Sequence, residues 1–157
     1  MLTKKSLYFK NGLYIIKLES FVMKYKFKLQ PYEHQLTALR KGWNLEEFAF
    51  FMDMGTGKSK VLIDNFSVLT GVLSIAPKGV YRNWSRNEIP THMPEHVLTD
   101  ICVWQPNHTQ KFLQTWKSLF VPNDNLKIFL MNIEAFSTRK GVEVAEKFLL
   151  AHSSLMA

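Results

Sequence analysis

The chain is predicted to be an α/β domain with a mostly parallel sheet flanked by helices. Three observations predict it. Apolar runs of strand length alternate with amphipathic stretches of helical period from Phe48 to Ala151. The connections between those runs are long enough for right-handed crossovers. A glycine loop, Met52-Asp53-Met54-Gly55-Thr56-Gly57-Lys58-Ser59, stands between an apolar run and a periodic segment, the strand–loop–helix context of a phosphate-binding loop.

Bulk properties narrow the class. A chain of 157 residues is one domain of ordinary size. With 46% hydrophobic and 13% aromatic residues it has the material for a packed core. Its single cysteine, Cys102, sits in the apolar run Ile101-Cys102-Val103-Trp104, which excludes an internal disulfide framework and fits a reducing, cytoplasmic setting. No signal peptide is expected, because Leu13-Tyr14-Ile15-Ile16 is too short and lies between lysines. The stretch from Val61 to Ala76 is interrupted by Asp64, Asn65 and Ser67, so it reads as a helix plus a strand and no membrane span is expected. The net charge of +7 is concentrated in residues 1–28, where seven lysines face Glu19 alone. That basic, aromatic-containing segment suits a phosphate backbone, or equally a solvated sheet edge kept apart from others by lysine.

In chain order, Asn11-Gly12 between apolar-rich runs predicts a β-hairpin, and the alternation Tyr25-Lys26-Phe27-Lys28-Leu29 predicts a third strand. Residues 1–28 are therefore set apart as a basic β-hairpin and strand extension, and residues 29–157 as the main domain. Met23 offers an internal start. Pro31 opens a helix over Tyr32 to Trp43, with Tyr32, Leu36, Leu39 and Trp43 on one face. Phe48 to Met52 is predicted as the strand leading into the glycine loop, and Gly57 to Thr70 as the helix leading out, with Gly71 as its cap. Val72 to Ala76 is the next strand. A polar helix from Val80 is expected to stop at Glu88, before Pro90, with a loop over residues 90–100. Strands follow at Ile101 to Trp104 and Leu126 to Met131, with helices at Thr109 to Phe120 and Gly141 to Ala151.

The glycine loop carries the chemistry. Gly55 and Gly57 accept positive φ, so the loop's amides can turn inward around Thr56 and form an anion nest at a helix N-terminus. Lys58 reaches toward β- and γ-phosphates, and the Ser59 hydroxyl toward Mg²⁺. The strict pattern has glycine where this chain has Met52. A chance glycine turn capping a helix is the competing reading. His92 and His96 have ligand spacing only on a helix, which Pro90 and Pro94 oppose, so no zinc site is expected.

Around that loop the sequence resembles the first RecA-like domain of superfamily-two DNA helicases and translocases, of Swi/Snf-like or phage type. Pro31-Tyr32-Glu33-His34-Gln35 is similar to the family's Q motif and lies 23 residues before Lys58. The resemblance implies that Gln35 reads adenine, with Tyr32 on the adenine side; a glutamine amide can pair with adenine bidentately. Asp53 to Ser59 looks like motif I, a motif in which the first Walker glycine is relaxed. Ser74-Ile75-Ala76-Pro77-Lys78 with Asn83-Trp84 looks like motif Ia, which implies DNA-backbone contacts from Lys78 and Arg82. Trp84 reads rather as a packing residue. Leu130 to Phe136 resembles the segment before motif II, which places Asn132, a further nucleic-acid candidate, and Glu134 at a strand's C-terminal end, where ligand loops gather. The competing reading of those two is a turn with a helix cap.

What the resemblance implies is an ATP- and Mg²⁺-dependent helicase whose DNA (or RNA) partner and second RecA-like domain complete the machine. Motif II, an Asp-Glu pair, does not occur in the sequence; the sole adjacent acidic pair is Glu46-Glu47, before the loop. The chain is therefore expected to be an incomplete RecA-like domain, truncated before motif II, that binds nucleotide without hydrolysing it or unwinding DNA. Self-association through an incomplete sheet is a further expectation. The alternatives are another P-loop ATPase, such as a packaging motor or kinase, and a non-catalytic nucleic-acid-binding module that uses residues 1–28.

Overall fold

A parallel three-stranded sheet with helices on both faces organises the molecule. The computed structural model describes residues 25–43, 45 and 48–153. Its elements are α1 (Glu33–Gly42), α2 (Lys58–Phe66), β1 (Gly71–Ala76), α3 (Val80–Asn83), a π-helical turn (Trp84–Glu88), α4 (Ile89–His92), β2 (Thr99–Val103), α5 (Gln110–Ser118), β3 (Leu126–Asn132), a 3₁₀ turn (Ile133–Ser137) and α6 (Arg139–Ser153). The hairpin expected around Asn11-Gly12 lies outside the described residues.

The sheet order is β1-β3-β2. β3 is the central strand, and of the three it alone is buried along nearly its whole length, as a strand paired on both edges and covered by helices on each face must be. Leu126, Ile128 and Leu130 enter one cluster with Ile63 and Phe66 of α2 and Tyr81 and Ile89 of α3 and α4. Phe129 and Met131 enter the other, with Phe112 of α5 and Ala145 and Phe148 of α6. The register runs from Gly71 opposite Lys127 to Ala76 opposite Asn132, and from Thr99 opposite Leu126 to Val103 opposite Leu130. Lys127, the one charge within β3, is buried at the strands' N-terminal end and bound by Asp100 at 2.5 Å and the Asn123 amide oxygen at 2.7 Å. That pairing lets an ammonium sit where the pattern demands an apolar residue.

Four expectations are corrected. Phe48 to Met52 joins no strand among the described residues. The Met52 and Asp53 carbonyls accept from the Lys58 ammonium, and Phe48 and Phe50 pack edge to face beside Gly42. The described contacts of this run are thus local ones, and its main chain takes no part in the sheet. Tyr25 to Leu29 likewise forms no strand among the described residues, and the chain bends at Lys28 and Leu29. The helix after the loop ends at Phe66, where the Ser67 hydroxyl donates to the Asp64 carbonyl. Gly71 then opens β1, with no capping role. Finally, the helix beginning at Val80 passes Pro90 and runs to His92. Its π-helical turn lets the Ile89 amide donate to the Trp84 carbonyl, and Pro90 falls in the first turn of α4, where a missing N–H costs nothing. Among the described residues, no helix is long and apolar enough to cross a membrane.

Candidate functional site

The glycine loop is shaped by two residues in the left-handed region, Gly55 at φ 78° and Gly57 at φ 79°. Gly57 is the N-cap of α2 and has no side chain to cap it. The first-turn amides, those of Lys58 and Ser59 among them, are thus left for another acceptor. The loop's carbonyls are turned inward: Thr56 Oγ1 donates to the Asp53 carbonyl at 2.7 Å, and Lys58 Nζ donates to the Met52 and Asp53 carbonyls at 2.7 Å each. A Cβ at Gly55 would meet nothing within 4 Å, so the space beside the loop is open there.

Helix α1 fixes the loop from behind. Tyr32 is its N-cap, with extended backbone. Gln35, three residues on, accepts the Tyr32 amide at 2.9 Å through Oε1 and donates to the Thr56 carbonyl at 3.0 Å through Nε2. His34 Nε2 shares that carbonyl at 3.0 Å. Gln35 is only 4% exposed, so its amide is committed to main chain on both sides, each side keeping one further site for a ligand. Gly57 is required by this arrangement as well as by its own φ, because a Cβ there would stand 2.3 Å from Gln35 Nε2. Tyr32, 71% exposed, stacks on His34 with the rings 11° from parallel.

A cleft of about 480 Å³ opens between these elements, with Tyr32, Gln35, Gly55, Gly57, Lys60 and His92 among its walls. Lys60 is buried and held by Asp64 at 2.5 Å, one turn along α2. Burial pushes the Asp64 carboxyl above its ordinary range, opposed by its hydrogen bond and charge attraction to Lys60. Burial likewise pulls His92 below the usual imidazole range, with Glu88 opposing and Lys60 and Lys28 adding to the effect. His34, Lys60 and His92 are site residues that motif spacing did not show. The Lys60–Asp64 spacing of one helical turn on α2 was the available signal.

The residues expected at nucleic acid form a separate group. β1 and β3 end side by side, bringing Lys78 and Asn132 to Glu134. The Asn132 amide donates to Glu134 at 2.8 Å and is the first cause of a carboxyl pKa below the usual range; its own main chain and Lys78 add to it. A carboxylate therefore stands between two of the groups assigned to phosphate contact. Arg82 lies exposed on α3, its guanidinium 5.7 Å from the Tyr81 ring centroid. Among the described residues, no three His, Cys, Asp or Glu side chains are grouped to hold a metal. Compared with known proteins, the chain matches no protein-family model, no curated protein and no solved structure.

Proposed function

We propose that the chain is a RecA-like, P-loop nucleotide-binding domain of helicase type that takes ATP, and that by itself it holds ATP without turning it over. The observation that carries this reading is the pairing of an uncapped α2 N-terminus, opened by a left-handed Gly57, with Gln35 bound to the loop's Thr56 carbonyl. An anion is favoured at such a terminus by its free amides and by about half a positive charge. The residues fit a triphosphate: the space beside Gly55 is open, and the Lys58 ammonium, now on two carbonyls, has a third donor. Gln35 and Tyr32 stand on the cleft side of the loop, where a base would lie. Ser59, in the first turn of α2, is the residue that would hold Mg²⁺ through its hydroxyl. The ion would offset the negative charge of the phosphates. DNA is the partner this reading implies, with Lys78, Arg82 and Asn132 as its contacts.

Calorimetric titration with Mg-ATP tests the proposal. Binding that falls at least about tenfold in Lys58→Ala, the loss of one charge-assisted contact, is the expected result. A wild-type chain that ignores ATP, or a Lys58→Ala chain that binds equally well, overturns it. Steady-state turnover abolished by Lys58→Ala would overturn the non-hydrolytic part alone.

A further inference from the structure

We propose that residues 25–30 form a strap that completes the base side of the nucleotide cleft, and that Tyr25, Phe27 and Lys28 are positioning residues for it. This inference rests on the nucleotide-binding reading above. The strap's side chains hold it to three helices or their ends. The Tyr25 hydroxyl is hydrogen-bonded to the Ser67 hydroxyl, which in turn donates to the Asp64 carbonyl at 2.7 Å. The Tyr25 ring packs edge to face on Trp43, at the end of α1, with centroids 5.7 Å apart. Phe27 lies under the Lys60 ammonium, 5.1 Å from its ring centroid. Lys28 donates to the Pro90 carbonyl at 2.7 Å, in the last turn of α4, where carbonyls lack helical partners and a cation is favoured.

Those anchors deliver the next two residues, Leu29 and Gln30, to the cleft wall, facing the same space as Gln35, Gly57 and Lys60. Lys60 is the junction. It is held by Asp64 within α2, it lies over Phe27 of the strap, and it borders the cleft two residues after Lys58. The strap therefore walls the nucleoside side and not the glycine loop itself. A ligand that fills the cleft stabilises the docked strap, and a docked strap strengthens that ligand by the same factor, since binding coupling is reciprocal. A bare triphosphate, which needs only the loop and the α2 terminus, gains nothing from the strap.

The test compares Mg-ATP with Mg-tripolyphosphate by calorimetry on the full chain. Lys28→Ala and Phe27→Ala are expected to weaken ATP about fivefold or more, a coupling of ordinary size, and to leave tripolyphosphate affinity unchanged. Lys28→Arg, which keeps the donor, is expected to restore ATP affinity. In the wild-type chain, ATP but not tripolyphosphate is expected to slow tryptic cleavage after Lys26 and Lys28. ATP affinity unchanged in both alanine variants overturns the strap, as does a parallel loss of both ligands. Lys58→Ala losing both ligands while the strap variants lose neither would leave the nucleotide reading standing and remove the strap. A wild-type chain that binds neither ligand removes both.

Discussion

The Gln35 amide and the Thr56 carbonyl, 3.0 Å apart, join helix α1 to the glycine loop across 21 residues of sequence. The same amide accepts the Tyr32 N–H at 2.9 Å, so one buried side chain fixes both the start of α1 and the turn that opens α2. Gln35→Glu keeps the acceptor and removes the donor, turning a carboxylate oxygen toward the Thr56 carbonyl. It is expected to cost at least about 1–3 kcal/mol of folding stability, toward or beyond the upper figure because the new carboxylate is buried and faces a carbonyl. Urea denaturation at neutral pH measures it. An unchanged midpoint would remove Gln35 as the link between helix and loop.

The two loop glycines are expected to respond differently to the same change. Both have positive φ, so alanine at either costs roughly 1–2 kcal/mol of backbone strain. Gly55→Ala adds its methyl to open space and should show that cost alone. Gly57→Ala must also displace the Gln35 amide, which a Cβ would approach to 2.3 Å. It is expected to be the more destabilising of the pair, and to weaken ATP more. Equal melting temperatures for the two variants would contradict the tight approach of α1 to the loop.

Much of this was legible in the sequence where one physical cause acted alone. β3 reads as a core strand because apolar residues run from Ile128 to Met131 without alternation, while its central place in the sheet does not follow from that run. α5 begins where Thr109 can cap it, and its hydroxyl accepts the Phe112 amide at 3.2 Å. α2 begins at Lys58 because Gly57 can turn left-handed. The misreadings fall where a pattern has two solutions. An apolar run such as Phe48 to Met52 states that it seeks cover and not that a ladder supplies it; Phe51 remains 97% exposed. The alternation of Tyr25, Lys26, Phe27 and Lys28 does not separate a strand from a bent segment anchored by Tyr25, Phe27 and Lys28. Pro90 forbids one α-helical hydrogen bond, but a wider turn avoids needing it. In the site, the glycines and Lys58 were visible because their spacing is local. His34 enters through a tertiary contact with Thr56, which no spacing rule encodes, whereas Lys60 and His92 pair one helical turn away with Asp64 and Glu88, a spacing that shows an ion pair but not that it borders a cleft.

Three histidines give the fold a pH dependence of known sign. Burial is the first cause holding His92, His108 and His152 below the ordinary imidazole value of 6.5, and Lys127 adds to it at His152. A lowered folded-state pKa means that the unfolded chain binds the proton more tightly. Their contribution is therefore complete above pH 6.5 and is lost as pH falls through the folded-state values. The melting temperature is expected to fall between pH 7 and pH 5. His152 sits against Phe148, with ring centroids 4.5 Å apart, and its Nε2 is buried without a partner. His152→Leu should remove part of that slope. A slope unchanged in His152→Leu would assign the pH dependence elsewhere.

The Lys60–Asp64 pair should behave as a buried ion pair whose halves cannot be removed singly. Both side chains are shielded from solvent, and Asp64 Oδ1 has no partner beyond the contact that Oδ2 makes with Lys60. Lys60→Met leaves a buried carboxylate without its cation, a change that typically costs about 3–5 kcal/mol. The double variant Lys60→Met with Asp64→Leu removes both charges at similar volume and is expected to recover most of that loss. Asp64 already has a raised pKa in the folded chain, with burial outweighing its bond to Lys60, and losing Lys60 raises it further. A raised carboxyl favours folding below its unfolded value of 3.8 and loses that advantage as pH rises through the folded value. The gap between Lys60→Met and the wild-type chain is therefore expected to narrow as pH falls, because Asp64 then takes up a proton in place of the lost cation. Urea midpoints for the wild type and the three variants, Asp64→Leu included, across acidic to neutral pH measure both effects. A gap that widens on acidification, or single and double variants that are equally unstable, would show that the pair does not stabilise α2 through charge.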